Sequence, residues 1–174
     1  MNYGHLLTGI VLNLKPKTIN IMPFGVTIVF EEYNSIKKIH IKKTIIALAG
    51  PLTNILVVLF TILTRFEFLY ISFDKIVYSN ILIAVFNLLP IYPLDGGRII
   101  KNIISIKTNR KKALKVTNTI SNITMIILTA LVSILILYIK NIGLVLMLGY
   151  LWYLNIIENK SYKAKERVYE LINM

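Results

Sequence analysis

The sequence predicts a polytopic α-helical membrane protein with a small surface β-element. Three observations carry that prediction. Hydrophobic residues make up 56% of the chain and charged residues only 16%, with a mean hydropathy of +0.68, outside the range of ordinary water-soluble domains. The apolar residues gather into runs of near-spanning length, about 44–64, 76–92, 121–139 and 142–157. The 20 Lys and Arg residues lie almost wholly between those runs. The net charge of +12 therefore reads as juxtamembrane flanks, and no nucleic-acid partner is expected. The chain has no cysteine, which excludes a disulfide framework and a thiolate metal site.

Residues 1–14 (MNYGHLLTGIVLNL) form a partial helix of about 21 Å, short of the roughly 30 Å hydrocarbon core. They carry no basic n-region or cleavage site, so they are not a signal peptide. In residues 15–43, Ile19, Ile21, Val26, Ile28 and Phe30 alternate around Pro23 and Gly25, and Ile39 and Ile41 continue the pattern. This predicts β-structure at the membrane surface, rimmed by Lys15, Lys17, Lys37, Lys38, Lys42 and Lys43. Residues 44–64 span, with Gly50-Pro51 near the start and Asn54 one turn on. A short connection, 65–75, leads to the 76–92 run. Residues 98–120 read as a polar, basic linker, followed by spans at 121–139 and 142–157. Tyr150, Trp152 and Tyr153 suit an interfacial belt in the last span. Residues 1–157 thus form one membrane-embedded core and 158–174 a polar, helical, cytosolic tail. There is no internal repeat, which argues against a transporter built from inverted halves.

The 76–92 run ends in Asn87-Leu88-Leu89-Pro90-Ile91-Tyr92-Pro93-Leu94-Asp95-Gly96-Gly97-Arg98. Two prolines and a Gly-Gly pair must break the helix. Broken backbone is tolerated at membrane depth only where protein or a cavity surrounds it. An aspartate there points to a functional site, the plain alternative being a hydrated interfacial turn. Lys and Arg number six in 15–43, two in 65–75, seven in 98–120, one in 140–141 and four in the tail. By the positive-inside rule the first, third and fifth of these segments are cytosolic. Asp95 then lies toward the cytosolic side. His5, on a helix descending to that side, comes to similar depth. An imidazole and a carboxylate at matched depth suit a divalent metal such as zinc. Other polar residues have simpler readings. His40 is solvated in a basic strand, Asn54 and Asn87 hydrogen-bond across helices, and Arg110-Lys111-Lys112 is a topology signal or a contact with anionic lipid.

Residues 87–98 resemble the N-x-x-P-x-x-P-L-D-G-G-[RK] signature of site-2-type intramembrane zinc metalloproteases, peptidase family M50. More narrowly they resemble its stage IV sporulation branch. Ala49-Gly50-Pro51-Leu52 is similar to that branch's A-G-P-L, and Pro23-Phe24-Gly25 to its L-P-F-G-G, with Met22 for Leu and Val26 for the second Gly. The resemblance covers nearly the whole chain and implies a site-2 protease-like transmembrane core. In that family zinc is held by the two histidines of a His-Glu-x-x-His helix and by the Asp of Leu-Asp-Gly, while the Glu activates water. Tyr3-Gly4-His5 aligns with the end of His-Glu-Leu-Gly-His, so His5 and Asp95 carry over as metal ligands. Met1 stands at the first histidine and Asn2 at the general base; an Asn amide takes no proton from water at neutral pH. Asn87, Asn54 and Gly25 are candidates for positioning substrate.

The resemblance implies a zinc endopeptidase that cleaves a membrane-associated substrate, in the sporulation branch a sigma-factor proform, with inhibitory membrane partners. It would reside in the bacterial cytoplasmic or forespore-surrounding membrane. The alternative is a catalytically inactive homologue that binds membrane segments or regulates an active protease. Because Met1 falls inside the first helix, the native protein is expected to be longer at its N-terminus, with an apolar run ending in His-Glu; loss of that pair is the other possibility. One prediction follows from the basic residues. Reporter fusions in 65–75 and at 140–141 should read external, and those in 98–120 and after 158 cytosolic; the reverse pattern would overturn the assigned orientation.

Overall fold

A computed structural model describes residues 2–12, 14, 16–22, 25–30, 36–65 and 71–172. Its elements run α1 (Asn2–Val11), β1 (Pro16–Met22), β2 (Gly25–Phe30), α2 (Ile36–Thr64), α3 (Phe73–Asn87), α4 (Asp95–Lys107), α5 (Arg110–Ile139) and α6 (Ile142–Ile172). They divide into two compact units, Met1–Leu88 and Leu89–Met174.

The first unit is built on α2. Its buried positions include Ile39, Ile46, Ala47, Asn54, Val58 and Thr61, a stripe at helical period. Ile39 is 7% exposed while Ile41 is 46% exposed, so these two isoleucines do not share a strand face. The extended pattern expected as far as residue 43 is corrected here, because α2 starts at Ile36 and carries His40 as well. A short I-x-x-I-x-I run satisfies both periods, and the apolar stripe that continues through residue 61 decides for helix. Upstream, β1 and β2 pair antiparallel with Ile19 opposite Ile28 and Ile21 opposite Val26.

Helix α1 lies on α2. Leu14 and Ile46 form a small buried cluster, and the Lys42 ammonium donates to the Leu12 carbonyl at 2.7 Å, satisfying a group past the helix end. Gly4 makes the approach possible. A Cβ there would strike the Thr53 hydroxyl and come within 2.8 Å of the Ala49 carbonyl oxygen. Helix α3 also packs on α2. It has 15 residues, about 22 Å, and closes at Leu88, whose N–H donates to the Ala84 carbonyl at 3.1 Å. Pro90 disfavours helical geometry at the residue before it, so the expected 76–92 helix stops early.

In the second unit the expected linker 98–120 is helical. Ile99, Ile100, Ile103 and Ile104 recur at helical spacing among polar residues, which gives amphipathic α4, and α5 begins at Arg110. Lys140, at φ 49°, turns the chain into α6, where the Asn141 side chain accepts the Gly143 N–H at 2.8 Å. Buried Met125 and Leu151 and a Trp152 to Thr129 hydrogen bond of 3.0 Å join α5 to α6. The expected tail continues α6 without a break.

Among the described residues, three helices are long and apolar enough to cross a membrane: Lys38–Thr64, Arg110–Ile139 and Ile142–Leu171. The run at 76–92, expected as a fourth span, is not one of them. Leu56 and Leu63 on α2, Leu82 on α3, and Leu131, Leu137 and Leu146 on α5 and α6 are exposed. Apolar faces of this kind suit lipid rather than water. Gly4→Ala should lower stability in detergent by about 1–3 kcal/mol through overpacking. Gly149→Ala, where an added Cβ meets nothing within 4 Å, should change it by less than about 0.5 kcal/mol. Equal thermal shifts in the two variants would contradict the α1–α2 contact.

Candidate metal centre

Asp95 owes its place to the turn before it. Pro90 and Pro93 contribute no N–H groups that would need partners. Three of the remaining donors have defined partners. Ile91 N–H donates to the Leu89 carbonyl at 2.7 Å and Leu94 N–H to the Ile91 carbonyl at 2.8 Å. Tyr92 N–H donates to the Ser121 hydroxyl of α5 at 2.9 Å, which ties the turn to a long helix. The Arg98 Nε–H donates back to the Pro93 carbonyl at 2.9 Å. Ile91 is fully buried beneath the turn.

Asp95 is the first residue of α4 and is 4% exposed. A helix N-terminus favours negative charge, and the turn before it holds the Asp95 carboxylate there, in a position that water barely reaches. Gly97 is required for the same reason. A Cβ at Gly97 would collide with the Ile91–Tyr92 backbone, pushing the turn away from the helix that carries Asp95. The Asp-Gly-Gly-Arg sequence thus has a packing logic: the acid faces inward, the second glycine admits the turn, and the arginine closes it.

His5 sits on α1 and is 8% exposed. Its Nδ1 lies 2.7 Å from the Ile46 carbonyl oxygen of α2. A carbonyl only accepts, so Nδ1 carries the proton and the lone pair falls on Nε2. Metal-binding histidines commonly have this arrangement, with the distal ring N–H held by a backbone carbonyl. Pro51 lies inside α2, one turn beyond the neighbouring Ala47, and removes the N–H that Ala47's carbonyl would otherwise accept. Asn54 is buried on the same helix. Its Nδ2 has no hydrogen-bond partner among the described residues, which suits a group that positions a peptide backbone.

The other candidates are placed as follows. Asn87 donates to the Ile83 carbonyl of its own helix at 2.8 Å, not across helices. Gly25 opens β2 opposite Met22. Asn2 is the first residue of α1, and Met1 and Pro23-Phe24 lie outside the described residues. His40 is half-buried on α2, where a solvated strand position was expected. His5 and Asp95 fall in different compact units, and each takes its environment from its own. Among the described residues, no three His, Asp or Glu side chains form a metal-binding group. The donor chemistry of these two residues nonetheless fits zinc: an oriented imidazole nitrogen and a buried carboxylate. The supporting roles of the Ile46 carbonyl, Gly4 and Ser121 were not apparent in the sequence; a small residue beside the histidine was the one available signal.

Residues 67–131 match the model of Peptidase family M50. The chain is 26% identical over 118 residues to a zinc metalloprotease of Methanocaldococcus jannaschii, covering 65% of this chain and 33% of that protein. It therefore spans about a third of the length of that curated relative. A solved structure, the site-2 protease from Methanocaldococcus jannaschii, superposes with a TM-score of 0.66 at 24% identity, covering 90% of this chain and 70% of that one. Residues 67–131 are thus similar to peptidase family M50, and the chain shares the fold of that site-2 protease.

Proposed function

We propose that this chain forms part of a zinc-dependent endopeptidase that cuts its substrate within or beside a membrane-spanning segment. The observation that carries the reading is a buried Asp95 at the start of α4, delivered by a Pro-built break whose Ile91, Tyr92 and Leu94 N–H groups are hydrogen-bonded. An irregular turn is costly to maintain beside lipid, and its burial of a carboxylate has no structural use of comparable value. His5, through Nε2, and the Asp95 carboxylate would hold the metal. Bound zinc would supply Lewis-acid activation of the scissile carbonyl and of the attacking water.

The chain's own residues orient, align and exclude water. The Ile46 carbonyl fixes the His5 tautomer; the Gly97 contact and the Arg98 clasp fix Asp95. Asn54, with an amide donor buried on α2, would hold a substrate carbonyl. The β1–β2 ladder offers strand addition to an unwound substrate segment. Asn2 stands at the family's general-base position, where a carboxamide cannot accept the water proton, so no base is assigned to this chain. The placement in the sporulation branch, with a membrane-tethered sigma-factor proform as substrate and inhibitory membrane partners, belongs to this proposal and is supported by the three sequence motifs.

Zinc affinity of the purified protein tests the ligand assignment. Asp95→Asn and His5→Ala should each weaken zinc binding by more than the roughly 10–100-fold that loss of an outer-shell partner costs. Asp74→Asn, in the first turn of α3, should leave it unchanged. If neither ligand variant moves the affinity, His5 and Asp95 are not the ligands.

A further inference from the structure

The second unit holds a polar cavity that the metal chemistry does not use. It has a volume of about 20 Å³ and opens among Lys101 of α4, Thr117 of α5, and Asn155, Glu158 and Lys165 of α6. That is room for one water-sized group. Thr117 is 4% exposed and Asn155 1% exposed. Neither the Thr117 hydroxyl nor the Asn155 Oδ1 has a hydrogen-bond partner among the described residues. Two buried polar atoms left this way in one cavity are expensive unless something fills it.

The orientation of Asn155 is set by its neighbours. Its Nδ2 donates to the Asn122 Oδ1 at 2.9 Å, which also accepts the Asn159 Nδ2 at 3.0 Å. With the nitrogen engaged, the acceptor oxygen is left to the cavity. A group bound there must therefore donate a hydrogen bond to Asn155 and can accept one from Thr117. A hydroxyl does both, whereas an ionised phosphate diester has no proton to donate.

The level of the cavity along the helices gives the class of molecule. On α5, Thr117 follows the basic residues 110–115 and precedes the apolar stretch; on α6, Asn155 and Glu158 stand where the apolar run gives way to charge. Both helices are candidate spans, so the cavity lies at headgroup depth. At its rim, Lys101 rests over the Tyr92 ring at 4.2 Å, a cation–π contact that holds its ammonium in place. Lys101 and Lys165 against Glu158 give the rim a net charge of +1, which a phosphodiester balances. Basic pockets between spanning helices bind anionic headgroups. An ethanolamine headgroup would leave that charge uncompensated and bury an ammonium at higher cost than a hydroxyl.

We propose that this cavity binds the headgroup of a hydroxylated, monoanionic phospholipid of the phosphatidylglycerol type, with a headgroup hydroxyl between Thr117 and Asn155 and the phosphate between Lys101 and Lys165.

Native mass spectrometry of the full chain in detergent, supplied separately with phosphatidylglycerol, phosphatidic acid or phosphatidylethanolamine, tests it. Phosphatidylglycerol should be retained best. Thr117→Val should lower its retention by roughly three- to tenfold, the equivalent of one hydrogen bond, and leave phosphatidic acid unchanged. Lys165→Gln, an exposed rim change, should weaken both anionic lipids and spare phosphatidylethanolamine; it carries the test alone if Thr117→Val fails to fold. Equal retention of the three lipids, or no effect of Lys165→Gln, overturns the site. Displacement by millimolar glycerol phosphate overturns its assignment to a lipid.

Discussion

Backbone hydrogen bonding is the constraint on which the rest of this structure depends. In hydrocarbon each unsatisfied N–H or C=O costs several kcal/mol, so a helix is interrupted only where something else meets its polar groups. Two places among the described residues show the effect. In α2, Pro51 removes one donor, and in the preceding turn the Ile46 carbonyl accepts the His5 ring. At residues 88–94 two prolines reduce the number of donors, short local bonds serve the Ile91 and Leu94 N–H groups, the Ser121 hydroxyl serves the Tyr92 N–H, and the Arg98 side chain serves the Pro93 carbonyl. Both candidate metal ligands sit beside an interruption. The Ile46 carbonyl of α2 accepts the His5 ring, and the break before α4 supplies a helix N-terminus for Asp95 at mid-chain.

Glycine governs how closely those interruptions are packed. Gly4 lets α1 lie against the Ala49–Thr53 turn, and Gly97 lets α4 lie against Ile91 and Tyr92. Each glycine is one or two residues from a candidate ligand. Helix separation and ligand position are therefore set by the same contacts, and a single added methyl group moves both.

Much of this was legible in the sequence, because Pro and Gly act locally and membrane spans announce themselves by composition. The break within residues 87–98, and the aspartate that follows it, are visible from residue types alone. The errors have physical origins too. Residues 36–43 carry a pattern that fits a strand over a few residues and a helix over many, and only packing down to Thr61 selects between them. The linker at 98–120 looked irregular because its charge hid an amphipathic helix. The 76–92 run is apolar throughout, yet backbone geometry ends its helix at Asn87. Tertiary partners such as the Ile46 carbonyl and Ser121 leave no trace in sequence, since any residue supplies a carbonyl and serine is common.

Polar groups are handled differently in the second unit. Asn122, Asn155 and Asn159 bond one another across α5 and α6, a side-chain network that joins two spans where apolar packing alone gives little preference between lipid and protein neighbours. In the first unit the corresponding polar contacts run from side chain to backbone. Zinc K-edge X-ray absorption on the purified, zinc-loaded protein most directly tests whether His5 and Asp95 bind the metal. Nitrogen and oxygen ligands at about 2.0–2.2 Å are predicted, with imidazole scattering that disappears in His5→Ala and an oxygen contribution that falls in Asp95→Asn. A spectrum that neither substitution alters would contradict metal binding by this pair.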